Sequence, residues 1–300
     1  TGAGRGGTRL GLRRHRHRGA AALGAPGAGA AQAAGKTPHR PVRHPGAVAH
    51  IVLEVDPALR FLLPPRRRGP RFPLEVPGTD TVGHVVRMVG IPPTEVGTVR
   101  LDGREVDLAT RPTAADPGPP GAGGPGSGPV LAVGARPRPQ PTRHRPPRFL
   151  LDVHLRPRAR RLRLLGLDAA WEADADDAHR VERAAREERV LLTQDRGLLH
   201  RGALPEGALV RGERADEQLA DVLERFDPSL APWTRCLRCG APLEEASAED
   251  VAEQLMPRTR RAYRSFSRCT GCGQAYWRGA HADRLDAVVA RALAARRPPA

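Results

Sequence analysis

The sequence predicts an α/β protein: a parallel-sheet domain, preceded by a smaller strand-rich domain and closed by a four-cysteine metal ribbon. Three observations carry this. Apolar runs such as Phe149-Leu150-Leu151 and Val190-Leu191-Leu192 alternate with helical patterns, the mark of buried parallel strands. Four cysteines, the whole complement of the chain, fall into two Cys-x-x-Cys pairs. Between Val48 and Val133 the order is strand, strand, helix, hairpin, strand.

Composition sets the limits. Of 300 residues, 39% are hydrophobic and only 3% aromatic, too thin for packing along the whole length. The net charge of +16 is uneven: Thr1 to Ala47 holds nine basic residues and no acids, and Arg136 to Arg148 holds five and none. Tail and linker thus supply +14, and the remaining segments are near neutral, so the charge argues only for non-specific attraction to polyanions. Lys36 is the single lysine against 48 arginines, a coding bias from which no function is drawn. No run approaches the roughly 18 apolar residues of a membrane span, and the Ala/Gly stretch after Arg13-Arg14 is too weakly apolar for a signal peptide. A soluble, cytoplasmic protein without a membrane partner is expected.

Residues 1–47 are Gly/Ala/Arg/Pro-rich without period and read as a disordered basic tail; the chain opens on Thr1, so they are taken as an over-extended start or a fragment. His50 to Val55 and Phe72 to Val76 read as strands, and Val82, Val85, Val86 and Val89 form a helix that stops at Gly90. Thr98 to Val106 is a tight hairpin around Asp102-Gly103, which supplies the positive φ angles of a type I′ turn. With a last strand from Val130 to Val133, beyond a Pro/Gly-rich insertion over Ala114 to Pro129, this is a β-grasp domain over 48–134. Residues 135–147, with five prolines, form a semi-rigid linker.

The α/β domain follows over 148–230. Its strand Phe149 to Leu151 leads to a helix opening at Pro157 and closing at Gly166. A strand from Leu167 to Trp171, a helix from about Asp176 to Glu188 and the strand ending near Thr193 complete a βαβαβ order, which a strand Leu209 to Arg211 and a helix Asp216 to Phe226 extend. Asp152 and Asp195 end two of these strands, and the carboxyl ends of parallel strands are where ligands gather. Asp174, Asp176 and Asp177 open the second helix beside them. Three carboxylates suit one hard Mg²⁺ or Mn²⁺ ion. Capping is the competing role, most strongly for Asp176 and less so for Asp195. Asp177 is preferred over Asp176 because Val181, Ala184 and Ala185 turn its face toward the sheet.

Phe149-Leu150-Leu151-Asp152-Val153-His154-Leu155, Leu162 to Asp168, Asp174-Ala175-Asp176-Asp177, and Leu191-Leu192-Thr193-Gln194-Asp195-Arg196-Gly197-Leu198-Leu199 together resemble the Mut-seven C-terminal RNase family of PIN-like nucleases. The segment 48–134 resembles the ubiquitin-like domain often fused ahead of it. The resemblance implies a PIN-like three-layer α/β/α domain and a metal-dependent ribonuclease that hydrolyses RNA with an activated water. Carried over, Asp152, Asp177 and Asp195 become Mg²⁺ or Mn²⁺ ligands and catalytic acids, with Thr193 bracing the last of them and Asp176 in support. The chain departs from the family pattern at Arg156-Pro157, where Gly and a basic residue are usual, and at Gln194, which replaces a usual arginine.

Cys236-Leu237-Arg238-Cys239 and Cys269-Thr270-Gly271-Cys272, each followed by glycine, read as two knuckles sharing one structural Zn²⁺. The 29 residues between the pairs exceed the usual ribbon spacing, and a helix near Ala248 to Met256 accounts for them. The ribbon is placed at 231–286, with a C-terminal tail over 287–300. Within it Arg258, Arg260, Arg261, Arg264 and Arg268 interleave with Tyr263 and Phe266, ahead of Tyr276-Trp277. That pattern suits stacking on single-stranded bases, while the aromatics equally suit a small ribbon core. His281 resembles the family's Trp-x-Gly-x-His end, though a surface histidine is the default. A non-catalytic RNA-binding or adaptor protein is therefore the alternative function. The β-grasp domain has no di-glycine end and runs on into Pro137, so free-terminus chemistry is not expected and docking of a protein partner is.

Overall fold

The computed structural model describes residues 48–112, 128–279 and 282–295. These fall in one compact unit that starts at His44. The basic tail 1–47, most of the Pro/Gly-rich insertion and His281 lie outside the described residues.

The first domain builds a five-stranded sheet from β1 (Val48–Val55), β2 (Arg71–Pro77), β3 (Val96–Leu101), β4 (Arg104–Val106) and β5 (Val130–Ala135). Their order is β2-β1-β5-β3-β4, with β5 parallel to β1 and antiparallel to β3. Alternation puts Ile51, Leu53 and Val55 inward against Val82, Val85 and Val86 of α1 (Val82–Met88). Thr81 caps α1 by accepting the His84 N–H at 3.2 Å. Asp102 and Gly103 take φ of 49° and 81°, as the turn between β3 and β4 requires.

The second domain is a four-stranded parallel sheet of β6 (Arg148–Leu151), β7 (Asp168–Trp171), β8 (Val190–Thr193) and β9 (Gly207–Leu209). Its order is β7-β6-β8-β9. The helices are α2 (Arg156–Leu164), α3 (Asp177–Arg186), α4 (Arg196–Leu199) and α5 (Ala215–Phe226). Each strand alternates between two cores. Phe149, Leu151, Val190 and Leu192 face α2 and α5, where Phe149 meets Phe226 edge-to-face at 5.1 Å. Leu150 and Leu191 face the opposite way, toward α3 and α4. The fourth strand lies two residues earlier than the apolar Leu209-Val210 run suggested. A Cβ at Gly207 would sit 2.8 Å from the end of the Leu199 side chain and 2.9 Å from that of Leu204, so the strand enters the sheet packed closely under these two leucines.

The cysteine region forms an antiparallel sheet of β10 (Leu243–Ala246), β11 (Phe266–Cys269) and β12 (Ala275–Trp277). The helix expected near Ala248 to Met256 is instead a single 3-10 turn at Ala252–Gln254, followed by α6 (Pro257–Ala262). Ser247 and Asp250 exchange hydrogen bonds that hold the chain in a turn, and Pro257 starts the helix where its missing N–H costs nothing. The expected C-terminal tail needs correction as well. α7 (Ala282–Ala294) runs through most of it, with Val288, Val289 and the buried Ala292 packed on the core beneath α2 and α5.

The two α/β-containing domains share one core. Leu59, Leu62, Ile91 and Val96 of the first cluster with Leu198, Leu199, Leu204 and Leu209 of the second. At its centre lies a buried ion pair, Glu95 to Arg225 at 3.0 Å. Glu95 also accepts the Leu209 N–H at 2.7 Å, and Arg225 donates to the Gln140 side chain at 2.7 Å. The proline-rich linker is thereby pinned to both domains. Arg211 and Arg196 add donations to the carbonyls of Ala58, Phe61 and Leu62.

Candidate functional site

The carboxyl edge of the parallel sheet gathers the aspartates. Asp152 follows β6 directly and is 4% exposed. Its Oδ1 accepts the Val153 N–H at 2.5 Å, and its Oδ2 accepts the Thr193 hydroxyl at 2.9 Å. Thr193, the fully buried last residue of β8, in turn accepts the Asp195 N–H at 2.9 Å. One hydroxyl therefore ties the two strand ends together. Asp195 caps α4 by accepting the Gly197 N–H at 2.7 Å. Asp176 caps α3 through the His179 N–H at 2.8 Å, and Asp174 is exposed.

Asp177, in the first turn of α3, is half-buried and points along the helix at Arg180. The Arg180 Nη1 lies 3.1 Å from Asp177 Oδ1 and 3.7 Å from Asp152 Oδ1. A guanidinium thus stands between two of the three acids expected to share an ion. Arg201 reaches Asp177 Oδ2 at 3.9 Å from the other side. Of the helix residues read as sheet-facing, Val181 and Ala184 are buried and Ala185 is exposed.

The donor set fits a hard divalent cation in its chemistry, since it is made of carboxylates at the carboxyl ends of two parallel strands and one helix N-terminus. The fold also already holds a positive group against the buried Asp152 carboxylate. Among the described residues, however, the only three or more acid, histidine or cysteine side chains close enough to share an ion are the four cysteines.

Those cysteines place one ligand atom each within 4.8 Å of the others, with Cys236 and Cys269 buried and Cys239 and Cys272 exposed. Gly240 and Gly273 take φ of 87° and 70°, which turns the backbone back at each knuckle. The Cys239 N–H points at Cys236 Sγ, and the Gly271 and Cys272 N–H groups at Cys269 Sγ. Burial pushes the Cys236 thiol up, but the Tyr276 hydroxyl at 3.1 Å and the Cys239 and Arg238 N–H groups outweigh it and hold Cys236 at about 6. Burial pushes Cys239 up to about 12. Burial also raises the Cys272 thiol, and a cation bound to the quartet would favour the thiolate form of its ligands.

Arg163 joins this cluster to the α/β domain. Its buried guanidinium donates to Ala169 O at 2.7 Å and to the knuckle carbonyls of Leu237 and Arg238 at 3.3 and 2.7 Å. Burial lowers its pKa, opposed by attraction to Cys239 and Cys236. The Cys236–Cys239 knuckle is thereby seated on α2 and β7.

Residues 147–289 match the family described as the Mut7-C RNAse domain, and residues 48–117 match the Mut7-C ubiquitin domain. The chain joins a Mut7-C ubiquitin domain to a Mut7-C RNAse domain. No curated protein and no solved structure gives a significant match. The Mut7-C RNAse domain spans the sheet, the cysteine cluster and the first half of α7, so the ribbon belongs to it.

At both departures from the expected family pattern, the side chain has local partners. Arg156 stacks on Trp171 at 4.9 Å, and the Trp171 indole donates to Val153 O at 3.2 Å, which fixes the loop after Asp152. Gln194 donates to Gly212 O at 2.9 Å and so holds the loop between β9 and α5. In the ribbon, Phe266 is buried with Tyr263 and Trp277 packed against its cluster, so these aromatics form a core. Arg258, Arg260, Arg261, Arg264 and Arg268 are exposed. No helix among the described residues is long and apolar enough to cross a membrane.

The sequence reading missed Arg163, Arg180 and Arg225, each at most 6% exposed. For Arg180 a signal existed: it follows Asp177 by three residues and adjoins Val181 on the sheet-facing side of α3.

Proposed function

We propose that the chain is a metal-dependent endoribonuclease of PIN-like type. The observation that carries the reading is the Thr193 hydroxyl bridging Asp152 and the Asp195 backbone at the carboxyl edge of the sheet, inside the segment matched as an RNAse domain. Asp152, Asp177 and Asp195 would hold Mg²⁺ or Mn²⁺. Such an ion, when bound, activates a water and offsets charge that develops on the phosphate. Thr193 fixes the Asp152 rotamer and the backbone at the start of the Asp195 turn. Asp176, as cap, sets the first turn of α3 and with it the position of Asp177. The four cysteines would hold Zn²⁺ in a closed, structural site.

RNA is the proposed substrate, and the exposed arginines of α6 and β11 offer phosphate contacts beside the ribbon. The same arginines favour a second reading, a non-catalytic RNA-binding adaptor. The ubiquitin-like domain, docked on one side by the shared core, offers its remaining surface to a protein partner. Cleavage of a circular single-stranded RNA in Mn²⁺ separates the readings. We expect internal cuts that Asp152→Asn and Asp195→Asn both abolish, with the zinc content and the folded-state circular dichroism retained. Equal cleavage by wild type and both variants would overturn the nuclease site, and EDTA-insensitive binding without any cleavage would favour the adaptor.

A further inference from the structure

We propose that Arg180 is a built-in counter-ion that competes with the divalent cation for Asp152 and Asp177, so that metal loading requires its guanidinium to leave. This rests on the metal-dependent reading above and specifies how that site is controlled. Asp152 is nearly sealed from solvent, its side chain 6% exposed, and a carboxylate so placed needs a positive partner. Arg180 supplies it from α3, with its own side chain 7% exposed and Nη1 shared between Asp152 and Asp177.

The arrangement is poorly satisfied for a structural arginine. Arg180 Nε is buried and has no hydrogen-bond partner, and a single nitrogen serves both acids. Arg163 and Arg225, by contrast, each donate from both Nε and Nη1, although the Arg225 Nη2 is likewise buried without a partner. A guanidinium whose Nε is unpaired and whose single nitrogen serves two acids, at 3.1 and 3.7 Å, is held by charge more than by hydrogen-bond geometry, and it gives way to a stronger charge. A divalent cation against Asp152 would lie close to Nη1, where repulsion in a partly buried site is large. Arg180 and the ion therefore exclude one another. Asp177, reached also by Arg201, is the acid on which the displaced arginine can stay tethered.

The test is direct binding of Mn²⁺ alone to the zinc-loaded full chain, read by electron paramagnetic resonance of the free ion. Arg180→Met should bind Mn²⁺ at least roughly tenfold more tightly than wild type. Arg180→Lys, which keeps the charge and the fold, should stay close to wild type, and Asp152→Asn should lose binding in either background. An Arg180→Met affinity equal to or weaker than wild type would overturn the inference while leaving the metal site standing. No Mn²⁺ binding by wild type, Arg180→Met or Arg180→Lys would overturn the metal-dependent reading itself. If Arg180→Met does not fold, an Arg180→Gln protein that binds no more tightly than wild type overturns the inference equally.

Discussion

A Cys269→Ser protein is expected to be purified without its metal, and its ribbon to lose stable structure. Each wild-type chain should carry one zinc, bound by four sulfurs already within 4.8 Å of one another. Cys269 is buried and well engaged: its sulfur accepts two backbone N–H groups and lies 3.4 Å from Cys239. Structural zinc contributes apparent binding free energy of ~10 kcal/mol or more, far beyond what the ribbon's own core can offer. That core is small, built from Val251, Leu255, Phe266 and Ala275 with a few partly buried neighbours. Amide hydrogen exchange should show β10, β11 and β12 unprotected in Cys269→Ser, while β6 and β8 keep their protection. Full zinc content in the variant, or unchanged exchange in the ribbon, would show that the quartet is not the metal site.

Arg225→Met should lower the unfolding free energy of the full chain by about 3–5 kcal/mol, the usual cost of leaving one partner of a buried ion pair alone. Glu95 would then sit buried beside Leu209 without its cation, and Gln140 would lose the Nε donor that fastens the linker. A double variant, Glu95→Leu with Arg225→Met, should recover most of the loss, because apolar side chains of similar volume often replace a buried pair at little cost. Urea unfolding followed in the far ultraviolet measures both. Additive losses in the double variant would show that the two side chains do not act as a pair. Since the pair links the domains, Arg225→Met should also separate their unfolding into two transitions.

The parts of this protein that were legible in sequence are those fixed by local chemistry. Asp102-Gly103 fixes a turn, the apolar runs before Asp152 and Asp195 fix two strand ends, and paired cysteines followed by glycine fix two knuckles. Arginine burial is decided elsewhere. With 48 arginines in the chain, nothing adjacent to Arg163 or Arg225 sets them apart from exposed ones, and only the spacing of Arg180 from Asp177 hints at its place. Each is buried because distant backbone or carboxylate acceptors meet it: Leu237 and Arg238 for Arg163, Asp152 for Arg180, Glu95 and Gln140 for Arg225. The shared core was hidden for the same reason, since Leu198, Leu199 and Leu204 look sufficient for one domain alone. α7 was more accessible, because Val288, Val289 and Ala292 follow a helical spacing inside the stretch read as tail.

The most direct test of the proposed site is a crystal of the zinc-loaded full chain soaked in Mn²⁺ and measured at the manganese absorption edge. The account predicts an anomalous peak with carboxylate oxygens of Asp152, Asp177 and Asp195 at roughly 2–2.5 Å, and the Arg180 guanidinium turned away from Asp152. Manganese bound elsewhere, or no peak at these aspartates while Arg180 stays against Asp152 in a protein that cleaves RNA, would contradict it.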